Sequence, residues 1–261
     1  MEQQIAGVVP MHRFYLPPEQ CADEGFSLAG REAHHAARVL RVRSGERVAV
    51  LDGAGHEFFC DVQDVGRDNV KLAVREKRFI PRASCQLTLL QAVPRGKLME
   101  AIIQKATELG VGRIVPLLSE RVVAQLGEAE AAGKAEKWQL TAIEAIKQCG
   151  ASWLPRVESP LRPKDFLERQ MKFELTLVAS LQSDSKHARE YFQAFCSCRG
   201  RLPESVGVWV GPEGDFTLAE LDAIKAGGAL PITLGPLVLR SETAAAYCLS
   251  ILNYELQSPT R

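Results

Sequence analysis

Residues 70–75, Val-Lys-Leu-Ala-Val-Arg, alternate apolar and polar positions, the period of a strand with one buried face. Arg47–Asp52 and Glu57–Val62 are short runs of strand-forming residues, and Gly53-Ala-Gly55 between them supplies a hairpin turn. Arg31–Leu40 reads as a short helix. Several short strands in so few residues predict a small β-barrel. Around Phe79-Ile-Pro81 the pattern changes, and from Gln86–Gln91 onward strands alternate with longer helices. Leu98, Ile102, Ala106 and Leu109 keep helical spacing up to Gly110, and Trp138, Ala142, Ile146 and Cys149 do so up to Gly150. Arg113–Leu118, Glu174–Ser180, Val206–Val210 and Pro231–Leu234 are the strands expected between them; the second and third are apolar enough to be central in a parallel sheet. Thr217–Ala226 and Glu242–Leu256 complete the expected helices. The reading is α/β: an extension over 1–10, a barrel over 11–80 and a mostly parallel α/β domain over 81–261.

Composition narrows this further. Of 261 residues, 46% are hydrophobic and 25% charged, which gives material for a core and argues against disorder. No apolar run reaches membrane-spanning length, and the start lacks a signal pattern. The seven cysteines are scattered, and a lone Cys196-Ser-Cys198 lacks the second half of a zinc site; free thiols in a reducing, cytoplasmic setting are expected, with no metal. Formal net charge is zero. Residues 31–47 nevertheless carry a local excess of three positive charges and residues 71–82 an excess of four, either solvated surface or a phosphate-binding face.

The nucleotide-site motifs mostly fail. Gly96-Lys97 follows a strand, but Gln91 stands where a P-loop needs its first glycine, and Leu98 replaces its Ser or Thr. Gly211-Pro-Glu-Gly214 has no serine nucleophile. What this turn offers is close backbone approach at a strand end, and Leu234-Gly-Pro236 with Leu237, Val238 and Leu239 offers a second wall. Together they predict a pocket for a nucleoside-like ligand, with Arg240 and Glu242 at its rim. Glu242 is equally well explained as helix-dipole chemistry behind an N-cap at Ser241.

These residues, in this order, resemble the bacterial 16S rRNA (uracil-N3)-methyltransferases of the SPOUT superfamily. The resemblance runs from Met11 to about Leu256. It is carried by His12-Arg-Phe-Tyr15, His34-His35 with Arg38-Val-Leu-Arg41 and Gly45, Lys105-Ala-Thr-Glu-Leu-Gly110, Ser119-Glu-Arg121, Gln148, the 211–214 turn and Leu239-Arg-Ser-Glu-Thr-Ala244. It implies a PUA-like β-barrel, a SPOUT α/β domain with a deep trefoil knot, S-adenosylmethionine as cofactor, and a homodimer. The implied substrate is one uridine of 16S rRNA in the 30S subunit. Cofactor contacts would fall to Leu181, Gly211, Glu213, Gly214, Leu234, Gly235 and Leu239. RNA contacts would fall to Arg13, His34, Arg38, Arg41, Arg43, Lys105, Arg121 and Lys147. Asp215 stands where relatives commonly carry a third glycine. Lys147 and Ala151 replace a Glu and an Arg found in many relatives, and Lys147 is the expected substitute for that Arg in holding RNA.

Transfer to uracil N3 needs its imide proton removed and the resulting anion stabilised. Arg240 is expected to stabilise that anion or pin the base, and the proton acceptor is Glu242, a water or hydroxide. A methyltransferase of the same fold acting on another RNA atom, an RNA-binding assembly factor without chemistry, and a metabolic α/β enzyme are the competing readings.

Overall fold

The computed structural model describes residues 11–121, 128–182 and 184–257; the extension expected over 1–10 lies outside them. The chain divides into two compact units. The first is built from the chain up to Arg82 together with Ile146–Leu154, and the second from Ala83–Ala145 and the chain from Pro155 onward.

In the first unit, β1 (His12–Tyr15) runs parallel to β3 (Arg47–Leu51). Antiparallel pairings then join β3 to β4 (His56–Val65), β4 to β5 (Asn69–Phe79) and β5 to β2 (Gly25–Ala29). The order is β1-β3-β4-β5-β2, and the sheet curls into a half-barrel. Register shifts at Phe59/Cys60 and Val62/Asp64 add the local bend that curling requires. Phe14, Leu28, Val48, Val50, Phe58 and Val70 fill its concave side, each 2% exposed or less. The helix α1 (Gly30–His34) widens into a π-turn over His35–Leu40 and ends at Arg41, which takes φ 55°.

The β3–β4 turn is held from two sides. Buried Asp52 accepts from the backbone N–H groups of Ala54 (2.7 Å) and His56 (2.9 Å), an Asx-type closure. From far along the chain, Leu154 N–H donates to Gly53 O (3.0 Å) and Gly55 N–H to Ser152 O (2.9 Å). Both glycines have positive φ, and a Cβ on Gly55 would stand 2.6 Å from the Trp153 ring. Trp153 also donates to Ile80 O (2.8 Å) and lies under the Arg82 guanidinium.

The second unit carries a six-stranded parallel sheet. Its strands are β6 (Gln86–Ala92), β7 (Arg113–Leu117), β8 (Arg156–Val157), β9 (Leu175–Ala179), β10 (Ser205–Val210) and β11 (Leu230–Ile232), in the order β11-β9-β10-β6-β7-β8. The helices are α2 (Leu98–Glu108), α3 (Glu128–Cys149, whose residues from Ile146 on belong to the first unit), α4 (Pro163–Glu168), α5 (Ala188–Arg199), α6 (Leu218–Ala226) and α7 (Ser241–Gln257). Beneath the end of β10, Trp209 is 1% exposed and meets Phe166 and Phe216 edge-to-face at 5.4 and 6.4 Å.

The sequence pattern misses β1, β2, β8, α4 and α5. α5 buries only Ala188 and Phe192, too little to write an apolar stripe into the sequence. The buried thiols of Cys60, Cys85 and Cys248 are pushed up to about 12 by desolvation, so they behave as small apolar groups. Among the described residues, no cluster suited to a metal ion occurs and no helix is long and apolar enough to cross a membrane.

Candidate functional site

A cavity of about 210 Å³ opens at the C-terminal ends of β9, β10 and β11. Open parallel sheets bind their ligands at this edge. Ala179–Leu181 supply one wall, Val210–Asp215 the second, and Leu234, Gly235 and Leu237–Leu239 the third, with Ser241 and Ala244 of α7 closing it. All seven residues singled out for a cofactor line this one cavity: Leu181, Gly211, Glu213, Gly214, Leu234, Gly235 and Leu239.

The turn after β10 is shaped differently from the reading of its glycines. Neither Gly211 nor Gly214 takes positive φ; the left-handed residue is Asp215, at φ 63°. That is why a glycine is at home there, and why a short polar side chain that bonds locally is tolerated. Asp215 Oδ1 accepts from Phe216 N–H (2.7 Å), and Asp215 N–H donates to Pro212 O (2.9 Å). Gly211 is needed for space: a Cβ there would sit 2.8 Å from Asp215 Oδ1 and 3.2 Å from its Cα. Gly235, at φ +100°, does require the freedom of a glycine.

Three contacts fix the turn. Arg121 Nη1 donates to Gly214 O, so this guanidinium, expected on RNA, supports the cavity wall. Arg95 N–H donates to Glu213 Oε1 (3.1 Å). Ser241 Oγ donates to Gly211 O (2.8 Å) and accepts from Gln91 Nε2 (3.0 Å), which ties β6, β10 and α7 together through buried groups. Ser241 is therefore not the N-cap. α7 begins at Ser241, and Arg240 O accepts from Ala244 N–H (2.8 Å), placing the cap one residue earlier. Gln91 and Ser241 were missed as structural parts of the site. The one available signal was a glutamine near the end of an apolar strand.

Arg240 is exposed and sits between two lining residues, Leu239 and Ser241. Glu242 is half-buried, and its Oε2 is buried without a hydrogen-bond partner among the described residues. Such an oxygen is costly to keep unless it serves a ligand or a proton.

Burial pushes the Asp215 carboxyl above its ordinary range, opposed by the Phe216 N–H and the Arg121 charge. A raised carboxylate favours its neutral form, so the contribution to stability is full below the unfolded value, near pH 4, and is lost as pH rises through the folded one. Asp215→Asn keeps the acceptor and the left-handed conformation. It is expected to melt higher than the wild type at pH 7, with the difference vanishing on acidification below about pH 4 in thermal scans.

The expected RNA contacts separate into groups. His34, Arg38, Arg41 and Arg43 are exposed along one stretch of the first unit. His35, in contrast, packs edge-to-face on Phe14. Arg13 lies against Gly150 and donates to Gln148 O (3.4 Å). Lys105, on the surface of α2, pairs with Glu108 (2.9 Å). Lys147 is inward, its side chain 5% exposed and its ammonium 2.8 Å from Glu32, so the substitute RNA contact assigned to it does not stand. Much of the second basic cluster is paired off: Arg75 with Asp61, Lys77 with Asp23 and Arg78 with Glu76.

Comparison with known proteins identifies the family. Residues 81–253 match the RNA methyltransferase domain family, and residues 28–75 match the RNA methyltransferase PUA domain. The ribosomal RNA small subunit methyltransferase E of Bacillus subtilis is 32% identical over 95% of this chain and 98% of its own. That of Synechocystis is 31% identical over 98% and 82%. A Legionella pneumophila protein solved in complex with the cofactor SAM superposes with TM-score 0.84 at 32% identity, covering 94% of this chain and 98% of that one. The Neisseria gonorrhoeae ribosomal RNA small subunit methyltransferase E bound to S-adenosyl methionine gives 0.80 at 26%, over 94% and 97%.

Proposed function

The chain belongs to the family of ribosomal RNA small subunit methyltransferase E, and on that footing we propose that it methylates N3 of one uridine of 16S rRNA in the small subunit, uridine 1498 in customary numbering. The observation that carries the reading is the cavity at the strand ends, lined by both glycine-bearing loops. Its walls suit S-adenosylmethionine: apolar Leu181, Leu237, Val238 and Leu239 for a nucleoside, backbone groups of both loops for hydrogen bonds, and the acidic Glu213 and Asp215 for a cationic ligand. The cofactor, when bound, supplies a methyl group on a positively charged sulfur.

The chain's own work is alignment, charge stabilisation and proton handling. The loops tied by Ser241, Arg95 and Arg121 hold nucleophile and methyl in line. Arg240 places a guanidinium at the rim, where it stabilises negative charge on the uracil oxygens. Glu242 takes the imide proton on its partnerless Oε2. Arg38, Arg41 and Arg43 hold rRNA phosphates in a sequence-independent, salt-sensitive way.

Residues 11–80 serve as the PUA-like RNA-binding domain and 81–261 as the catalytic domain. A deep trefoil knot belongs to the same reading. Support for it comes from β11 lying at the outer edge of the sheet while the chain returns through residues 233–240 to pack α7 on α2 and β10. A homodimer is favoured by the exposed Leu237 and Val238 of the cavity wall (71% and 76%) and Tyr247 of α7. A substrate in the small ribosomal subunit fits a cytoplasmic protein.

The deciding experiment incubates the protein with S-adenosylmethionine and unmodified small subunits, then identifies the nucleosides by mass spectrometry. New 3-methyluridine at one position supports the reading, and methylation of another atom redirects it within the fold. Cofactor binding without transfer would favour an assembly factor. Ser241→Ala leaves the part-buried Gly211 carbonyl without its hydroxyl donor, and is expected to destabilise the protein by about 1–2 kcal/mol. It should also weaken cofactor binding severalfold in calorimetric titration.

A further inference from the structure

A second, larger cavity of about 660 Å³ lies in the same unit, between the β6–α2 connection and α3. Arg95 and Lys97 reach it from the connection, and Lys134 and Lys137 from α3, with Met99 and Trp138 as its apolar part. One lining carboxylate, Glu100, opposes these four cations, and it is paired with Lys137 at 2.6 Å. Lys134 is 3.5 Å from Glu130. Arg95 and Lys97 are exposed and have no ion-pair partner among the described residues. On a chain of zero net charge, this concentration of positive charge in one concavity is a local feature of the fold.

Its position gives the charge a purpose. The backbone of Arg95 is bonded to Glu213, in the turn that walls the cofactor cavity, so the two concavities share one loop contact. Any RNA whose base reaches the cofactor must pass its flanking phosphates over the neighbouring surface. Lysine ammonium groups and an arginine fork are the donors that phosphate oxygens take.

Resting on the methyltransferase reading, we propose that this cavity is an RNA-backbone site that holds a phosphate of the substrate strand beside the target uridine. Its residues all belong to the second unit. Arg95 and Lys97 make the direct contacts, while Lys134 and Lys137 supply the surrounding field.

The test uses the full chain, with 16S rRNA in small subunits as ligand and substrate. Lys97→Ala/Lys134→Ala is compared with wild type for rRNA affinity across a salt series, for methyl-transfer KM and kcat, for S-adenosylmethionine affinity and for melting temperature. Loss of the Lys97 phosphate contact is expected to flatten the slope of log affinity against log salt by about 0.7–0.9. The KM for rRNA should rise about tenfold near physiological salt, with kcat and cofactor affinity kept. Lys97→Glu should exceed the alanine effect, and Lys97→Arg should restore binding. An unchanged slope and KM in both the double variant and Lys97→Glu overturns the site, as does a loss confined to cofactor affinity or a changed oligomeric state. If Lys97→Ala/Lys134→Ala melts early, Lys97→Glu alone decides. Wild type that transfers methyl while the variants match it refutes this site only; wild type that neither binds nor methylates rRNA refutes the methyltransferase reading itself.

Discussion

Alanine at Arg240 is expected to slow methyl transfer by about 10²–10³-fold, equivalent to about 3–4 kcal/mol of transition-state stabilisation. Cofactor affinity should stay within about twofold, because the side chain does not line the cofactor cavity. The structural part of the residue is its carbonyl, which accepts from Ala244 N–H whatever side chain stands there. Folding therefore survives the substitution, and the loss reports chemistry. Arg240→Lys keeps the charge but not the planar fork, so it should recover only part of the rate. A single-turnover assay with saturating rRNA separates the chemical step from binding. Full turnover in Arg240→Ala would end the proposed role.

Lys147→Ala should have the largest effect on stability, a loss of about 3–5 kcal/mol from uncoupling a buried pair. Lys147 and Glu32 are 5% and 13% exposed at the side chain, 2.8 Å apart, and the other Glu32 oxygen accepts from Tyr15 N–H (3.2 Å). Removing the ammonium leaves a mostly buried carboxylate without its nearest cation. Replacing both members, as in Lys147→Met/Glu32→Leu, should recover much of the loss, because the desolvation of two charges is also relieved. Urea unfolding measures both. At a temperature where the single variant is still folded, its rRNA affinity should equal that of wild type. Weaker rRNA binding without a stability change would return Lys147 to the RNA face.

These two residues show how far the sequence could be read. The strand-ending glycine loops are local, so Gly211-Pro-Glu-Gly214 and Leu234–Leu239 could be placed beside one ligand from order and type alone. Strand period and helix stripes were legible for the same reason, since each is a pattern within one element. Lys147 failed because a lysine in a helix sequence looks solvated, and its partner Glu32 stands 115 positions away. Ser241 failed because a serine before Glu242 fits a capping pattern, while its actual acceptor, Gly211 O, is supplied by another strand. Asp215 was visible as a departure, but only φ shows that the departure falls on the left-handed position. What was lost for Lys147 and Ser241 is long-range pairing, which a single sequence does not encode in any local period.

The hairpin turn of the half-barrel is closed by Ser152–Leu154, and this affects the order in which the molecule can be made. A nascent chain that has emerged only as far as Arg82 has all five strands of that sheet. Gly55 N–H, Gly53 O and Ile80 O nevertheless still await partners from Ser152, Leu154 and Trp153. Synthesis proceeds at about 5–20 residues per second, so the sheet waits several seconds in an unfinished state while β6, α2, β7 and α3 are translated. Completion of the half-barrel is thereby made to depend on a segment translated after β6, α2, β7 and most of α3.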